Sequence, residues 1–218
     1  LFEQVRRAIE AKPASPPPRR PLADTGRSPA NASPPAVSPG PTPEFFNGLG
    51  GFADNGREYV TVLEAGQPTP APWINVVCNP SFGFQTSVEG GGCTWSLNSQ
   101  QNHLTPWSND PVSDAPGEVF YLRDEESGEL WGPTALPIRE EDSSYVVRHG
   151  QGYSRFEHVS HGISVGLLQF VPVDDPIKIS RLKITDHSGR ARRLSVTAYV
   201  EWVLGPSRGA SAPFVVTE

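Results

Sequence analysis

The 218-residue chain contains no methionine and only two cysteines, and apolar residues make up 36% of it, with a mean hydropathy of −0.38. Two cysteines, Cys78 and Cys93, are too few for the disulfide framework of a small secreted domain, although a single bond between them stays open. The sequence has neither a secretory signal pattern nor an apolar run long enough to cross a membrane. These absences favour a reducing compartment, and we expect the domain to lie on the cytoplasmic side.

Net positive charge is confined to the first 43 residues. The chain carries −6 overall, yet residues 1–43 hold six basic against three acidic side chains, so that the remainder carries −9. An acidic body repels the phosphate backbone of nucleic acids, which excludes them as the main partner. A neutral glycan is indifferent to that charge.

Proline divides the chain into three parts. Residues 1–12 place apolar side chains at helical spacing, which predicts the end of a helix belonging to an upstream segment. Residues 13–43 contain eleven prolines and can bury little apolar surface, so they are predicted to form an extended, disordered linker, with an SH3-type ligand in PPPRRP left open. Residues 44–218 form the predicted folded domain. Because the chain starts at Leu1 and stops within the strand-like run PFVVTE, we expect it to be a piece of a longer polypeptide.

From residue 44 onward the apolar pattern is that of β-strands. Runs rich in β-branched and aromatic residues are separated by clusters of Gly, Pro, Asp and Ser, and no long segment has a helical period. Residues 193–202 alternate most regularly and are predicted to pair with the preceding strand through a hairpin loop at 186–190. We therefore predict an all-β fold, a large antiparallel two-sheet sandwich. Its strands are predicted at 59–63, 120–123, 145–148, 153–159, 163–173, 177–185 and 193–202.

Four of the five tryptophans lie between Pro72 and Trp131, among Gly, Asn, Asp and Ser. An indole face stacks on the C–H face of a sugar, while short polar side chains bind its hydroxyls. Trp95 and Trp107 flank the polar segment NSQQNHLTP and are predicted to face a ligand. Trp131, in the hairpin-like DEESGELW, is predicted to be packed. The pattern indicates a carbohydrate-handling surface.

Acidic residues in the same region allow other chemistry. Asp110, Asp114 and Glu118 include a conceivable acid and base for a glycosidase, but a loop broken by Pro and Gly fixes no distance between carboxyl groups. Turn formation by short polar side chains is the plainer interpretation. The nearby run VEGGGC lacks the lysine of a phosphate-binding loop and predicts a hairpin tip that is either flexible or closely packed.

Three histidines, His149, His158 and His161, suggest a metal site. The sequence around them offers no cysteine or carboxylate at ligand spacing, and its strand-like character favours hydrogen bonds between strands. We expect no metal and no cofactor.

Longer blocks of the sequence resemble the N-terminal β-sandwich of glycoside hydrolase family 94, formerly glycosyltransferase family 36. The blocks that carry the resemblance are FFNGLGGFADNGREYVTVL, TPAPWINVVCNPSFGFQTS, TWSLNSQQNHLTPWSNDPVSDAPGEVFYLRDEESGELWGPT, VVRHGQGYSRFEHVSHGI, VPVDDPIKI and LSVTAYVEWVLGPSR. Together they cover about residues 45–218. The resemblance is strongest to the phosphorylase-like part of cyclic β-1,2-glucan synthases, with the soluble 1,2-β-oligoglucan phosphorylases next.

The resemblance implies a galactose-mutarotase-like supersandwich, incomplete at its C-terminal end and followed in the intact protein by an (α/α)6 barrel. In such enzymes inorganic phosphate, the co-substrate, attacks the anomeric carbon with inversion while a barrel aspartate protonates the leaving oxygen. It follows that this chain holds no catalytic residue and is inactive alone. Its implied partners are a β-glucan oligosaccharide, the barrel and, in a homodimer, a second copy, and the parent protein is either anchored in the inner membrane or soluble.

The resemblance also implies that the loop from Thr94 to Asp114 reaches the rim of the sugar pocket. Gln100, Gln101 and His103 stand where relatives often carry charged residues, which removes those charges from the loop. A stand-alone, non-catalytic carbohydrate-binding module is the alternative, and a hydrolase using Asp110 and Asp114 is a third hypothesis. The predicted substrate-binding residues are Trp95, Asn98, Ser99, Asn102, Thr105, Trp107, Asn109 and Asp110.

Overall fold

The computed structural model describes residues 43–108, 110 and 112–216. The predicted upstream helix at 1–12, and all but the last residue of the predicted linker at 13–43, lie outside this part of the chain. The boundaries of those two segments therefore stay predictions.

The described residues form twelve strands and two short helical turns. The helical turns are α1 (Arg208–Ser211) and a 3-10 turn (Ala212–Phe214), which takes up the start of the predicted strand-like run PFVVTE. The strands are β1 (Gly50–Ala53), β2 (Glu58–Leu63), β3 (Ile74–Cys78), β4 (Phe82–Ser87), β5 (Gly92–Ser96), β6 (Glu118–Asp124), β7 (Leu130–Trp131), β8 (Tyr145–Gly150), β9 (Tyr153–Ser160), β10 (Ile163–Phe170), β11 (Ile179–Asp186) and β12 (Leu194–Val200).

All strand pairs are antiparallel, and they build three sheets. The largest has the order β1-β2-β8-β9-β10-β11, and the two smaller ones have the orders β12-β6-β7 and β3-β4-β5. The predicted all-β antiparallel class is confirmed. Within the part of the chain that the structure describes, no helix is long and apolar enough to cross a membrane.

The core lies on one face of the six-stranded sheet. Along β9 and β10 every second residue is buried, and the register places Phe156 opposite Leu167 and His158 opposite Val165. This strict period of two follows from the alternation of side chains along a pleated strand. A second group of buried residues joins β6 and β7 to β10, with Leu122 and Trp131 packed against Ile163 and Val165.

The predicted hairpin between the last two strands is wrong. β11 pairs with β10, whereas β12 pairs with β6, so residues 187–193 pass from one sheet to another. Long-range bonds fix this crossing: the His187 N–H donates to the Gly162 carbonyl at 2.8 Å, and the buried Arg192 guanidinium lies 2.6 Å from Asp124. The apolar side chains of β12 are covered only in part: Val196 in its middle is 47% exposed, whereas Leu194 at its start packs against the second group of buried residues.

Candidate functional site

The loop predicted to contact sugar joins β5 to β6 and begins with a tight turn. Asn98 Oδ1 accepts hydrogen bonds from the backbone N–H groups of Gln100 and Gln101, both at 2.9 Å. The Asn98 carbonyl accepts another from the Asn102 N–H at 3.0 Å. These bonds define an Asx turn, in which a short amide takes over backbone hydrogen bonding. Asn98, Ser99 and Asn102 are exposed on this turn.

Thr105 lies beneath the loop, with 1% of its surface exposed. Its hydroxyl donates to Glu118 Oε1 at 2.7 Å and accepts the Thr94 N–H at 2.7 Å. The Thr94 hydroxyl donates to the same carboxylate oxygen at 2.6 Å, and Lys178 Nζ lies 2.6 Å from the other oxygen. Two hydroxyls and an ammonium thus hold one carboxylate at the base of the loop, and Thr105 contributes support there rather than an exposed contact.

The Glu118 carboxyl is kept ionised by these partners. Burial raises its pKa, but the charge of Lys178 and the hydrogen bonds from Lys178, Thr94 and Thr105 outweigh burial, so that the pKa of Glu118 is lowered. A carboxyl group that stays ionised is suited to an ion pair and not to protonating a leaving group. In the same region, burial and the nearby Glu118 charge raise the pKa of the Cys93 thiol to about 11.

The far end of the loop is tied to the hairpin between β4 and β5. The Ser87 hydroxyl donates to Asp114 Oδ2. Asp114 lies so close over Gly91 that a Cβ atom at that glycine would come within 2.0 Å of Oδ1. Burial raises the pKa of the Asp114 carboxyl despite its bonds to Ser87 and the Gly91 backbone. Of the two predicted alternatives, a flexible tip and a closely packed one, the glycine run forms the closely packed hairpin tip, and it makes room for this carboxylate.

Between these two anchors, Trp107 and Asp110 border an open cleft. Trp107 is 51% exposed. Asp110 Oδ1 accepts the Val112 N–H at 2.9 Å, and the backbone hydrogen bonds from Val112 and Ser113 lower the pKa of the Asp110 carboxyl. We call this opening the front cleft. It has a volume of about 300 Å³, and its lining includes Ile74, Gln85, Gly91, Trp107, Asp110 and Asp114.

The front cleft offers the two kinds of contact that a sugar ring needs. The exposed indole of Trp107 supplies a flat apolar face, while the Gln85 amide and the Asp110 carboxylate supply hydrogen-bonding groups for hydroxyls. Asp110 makes the turn that short polar residues favour, and the same residue lines the front cleft. Ile74 and Gln85, which come from β3 and β4, carry no sequence signal for a site because they reach the cleft only through the folding of the small sheet.

Trp107 and Asp110 are the members of the predicted set that the structure brings together at this cleft. Trp95 is half-buried and packs over Gly83, where an added Cβ would lie 2.6 Å from its ring. Asn98, Ser99 and Asn102 are exposed on the turn and do not line the front cleft. Asn109 lies outside the described residues. Trp131 is fully buried, as predicted.

The histidines make hydrogen bonds between elements of the sandwich. His158 Nδ1 lies 3.0 Å from the Ser144 carbonyl oxygen and its Nε2 lies 3.5 Å from Glu140 Oε2. His161 Nε2 lies 2.6 Å from Glu140 Oε1, and His149 Nδ1 lies 3.0 Å from the Ser154 hydroxyl. The described residues contain no group of three or more His, Cys, Asp or Glu side chains arranged to hold a metal ion. Both cysteines are free thiols.

Comparison with known proteins identifies the family. Residues 57–218 match the profile of the glycosyl hydrolase 94 supersandwich domain. The chain is 45% identical over 175 residues to cyclic beta-(1,2)-glucan synthase NdvB of Rhizobium meliloti (strain 1021), a match that covers 80% of the chain and 6% of that protein. It is 33% identical over 159 residues to solabiose phosphorylase of Paenibacillus borealis, covering 72% of the chain and 20% of that protein.

A third relative, N,N'-diacetylchitobiose phosphorylase of Vibrio furnissii, is 32% identical over 155 residues, which is 70% of the chain and 19% of that protein. The chain thus spans a fifth or less of the length of these relatives. The profile match extends over most of the chain and includes every strand from β2 onward. The chain therefore belongs to the glycosyl hydrolase 94 supersandwich domain family.

Proposed function

We propose that this domain serves a β-glucan-processing glycosyltransferase or glycoside phosphorylase of the cyclic β-1,2-glucan synthase kind, in which it binds glucan and supports the substrate loop. The observation that carries the proposal is the half-exposed Trp107 indole beside Asp110 on the front cleft. The loop holding both residues is anchored at its base by Glu118 and at its far end by Ser87 and Asp114. Anchoring at both ends restricts the conformations of the loop, which reduces the entropy lost on binding.

The chemical step belongs, on this proposal, to an (α/α)6 barrel of the same protein. Glu118 is tied up in an ion pair, and Asp114 is hydrogen-bonded to Ser87 at the back of the cleft, so neither is placed as a free acid. Inorganic phosphate is the co-substrate, and the barrel supplies the proton donor for the leaving glycosidic oxygen. The greater length of the matched relatives is in keeping with such a further domain.

The proposal extends to assembly and location. The parent protein acts on the cytoplasmic side, either anchored in the inner membrane or soluble, and a homodimer is one form in which it can assemble. The free thiols Cys78 and Cys93 are compatible with that compartment.

Replacing Trp107 in the full-length protein tests the sugar-binding role. Trp107→Ala is expected to weaken β-1,2-glucan binding by on the order of 1 kcal/mol or more, because the stacking face is lost. Phe52→Ala is the matched control, since Phe52 is also a partly exposed aromatic residue but lies on β1, away from the front cleft. Glucan affinity measured by calorimetry and the rate of phosphorolysis should fall for Trp107→Ala alone. Unchanged values for that variant would show that the loop does not bind substrate.

The stand-alone module makes a different prediction. If the domain binds glucan as an independent module, the 218-residue chain by itself should bind β-1,2-glucan as tightly as the full-length protein does. On our proposal the isolated chain binds weakly, and tight binding requires the barrel.

A further inference from the structure

A second cleft lies on the other side of Trp107. We call it the side cleft. It has a volume of about 520 Å³, and its lining includes Gln100, His103, Trp107, Ser108, Glu201 and Arg208. Trp107 and Ser108 line both clefts, so this short segment is a wall that the front and side clefts share. A half-exposed indole in such a wall can offer ring surface to both clefts.

The mouth of the side cleft carries a charge pair that the sequence did not indicate. Arg208 Nε lies 2.6 Å from Glu201 Oε1, and Arg208 Nη2 donates to Glu201 Oε2 at 2.8 Å. The pair is bidentate, yet the Arg208 side chain is 63% exposed. An ion pair this exposed contributes little to folding stability. Its remaining N–H groups and carboxylate lone pairs are available to a ligand.

The electrostatics of the side cleft favour a neutral ligand. Glu201 compensates the charge of Arg208 directly, so the cleft attracts neither an anion nor a cation strongly. The paired groups still offer donors and acceptors, and charge-assisted hydrogen bonds are the stronger ones. An apolar ring face opposite such groups is the arrangement that binds a saccharide.

A buried group in the wall of this cleft lacks a partner. His103 is more than nine-tenths buried, and its Nε2 makes no hydrogen bond to any described residue. The ring lies edge-to-face with the Trp107 indole, with centroids 6.3 Å apart and planes at 67°. An unpaired buried polar atom is costly, and a hydroxyl seated in the cleft would relieve that cost. Because Nε2 is closed off from solvent, the hydroxyl reaches it only after a lining side chain has moved.

We propose that the side cleft is a second saccharide subsite, in which a further sugar unit of the same chain lies against Trp107 and bonds to the Glu201–Arg208 pair and His103. This inference rests on the proposed function, because it extends the glucan bound in the front cleft past Trp107. It assigns binding roles to His103, Glu201 and Arg208, none of which belongs to the predicted set. Short oligosaccharides fill the front cleft alone, and longer ones use both clefts.

The experiment measures affinity against oligosaccharide length in the full-length protein. The double variant Glu201→Gln/Arg208→Gln should bind a short β-1,2-glucan oligosaccharide like wild type but a long one about tenfold more weakly, since charge-assisted hydrogen bonds are lost. Arg190→Gln/Glu126→Gln is the matched control, because it removes another exposed ion pair, and it should change neither affinity. His103→Phe, which keeps the ring but not the nitrogens, should also weaken the long ligand selectively.

The outcomes separate this inference from the proposed function. If Trp107→Ala weakens binding at every length while the double variant and His103→Phe bind long ligands like wild type, the second subsite is wrong and the glucan-binding loop stands. If Trp107→Ala changes no affinity at any length, both proposals fail. A length-dependent loss in the double variant, with short-ligand binding intact, supports the subsite even if His103→Phe does not fold.

Discussion

The hydroxyl of Thr105 donates to Glu118 Oε1 across 2.7 Å while it accepts the N–H of Thr94 at the same distance. One buried side chain thus joins the loop between β5 and β6 to both of these strands. The outer half of the loop, with Trp107, is therefore positioned by side chains that are largely buried. Substitutions at Thr105 or Glu118 can therefore change the stability of the domain separately from any role of the exposed Trp107.

Removing the Thr105 hydroxyl should destabilise the domain measurably. Thr105→Val keeps the shape of the side chain but leaves the Thr94 N–H and part of the Glu118 carboxylate unpaired, at a cost of about 2 kcal/mol in the free energy of unfolding. Thr105→Ser keeps the hydroxyl and should lower the free energy of unfolding much less. Urea denaturation followed by tryptophan fluorescence measures both variants. Equal stability of Thr105→Val and wild type would mean that these hydrogen bonds carry no net weight.

Neutralising Glu118 should destabilise the domain more than the Thr105 substitution does, because the buried ammonium of Lys178 is left without its partner. The Lys178 side chain is 13% exposed and Glu118 is its partner at 2.6 Å. Glu118→Gln is expected to lower the free energy of unfolding by about 3 kcal/mol. Adding Lys178→Met, which removes the stranded charge and can still pack near Phe84, should restore much of the loss. The exposed Glu126→Gln serves as control, and a double variant no more stable than Glu118→Gln would contradict this account.

Patterns among neighbouring residues predict the strands and hairpins of this fold that depend on neighbouring residues alone. The alternation in β9 and β10 gives their buried faces directly, and DEESGELW gives the hairpin that buries Trp131. The turn residues at 186–190 are equally suited to a hairpin and to a crossing between sheets. What distinguishes them is the pairing of β12 with β6, together with the bond from Arg192 to Asp124, 68 residues apart in sequence, and no local pattern encodes these contacts.

The same distinction applies to the site. Trp107 and Asp110 could be predicted because an indole and short polar side chains share one segment. Gln85 and Arg208 could not, since they arrive at Trp107 from β4 and α1 through the packing of distant strands. Thr105 resembles its exposed neighbours in the sequence, and only its hydrogen bonds to Thr94 and Glu118 in the folded domain give it a supporting role.

The Glu140 carboxyl should make the domain sensitive to acid. Burial raises its pKa, but the polar side chains of His158, Ser160 and His161 close to the carboxylate lower it more, to about 2 from an ordinary 4.5. A depressed pKa stabilises the fold above the unfolded-state value, so its contribution of about 3 kcal/mol is complete above that pH and is lost as the pH falls towards 2. The stability gap between wild type and Glu140→Gln should therefore close over this range. Glu141→Gln, exposed and adjacent, is the control, and a gap that stays constant with pH would exclude the linkage.

Substitutions of Trp131 and Trp107 should have different effects, one on the stability of the fold and the other on glucan binding. Trp131 is 0% exposed and packs among Leu122, Ile163 and Val165, so Trp131→Ala opens a cavity and should cost about 4 kcal/mol in unfolding free energy. Trp107→Ala removes a half-exposed ring from a cleft wall and should change stability by less than about 1 kcal/mol. Urea denaturation of both variants, with glucan affinity measured on the folded fraction of each, gives the comparison. Trp107→Ala should lose affinity while staying folded, and Trp131→Ala should keep its affinity wherever it remains folded. A Trp107→Ala variant as unstable as Trp131→Ala would instead place that indole in the core and remove the physical basis for a sugar-stacking role.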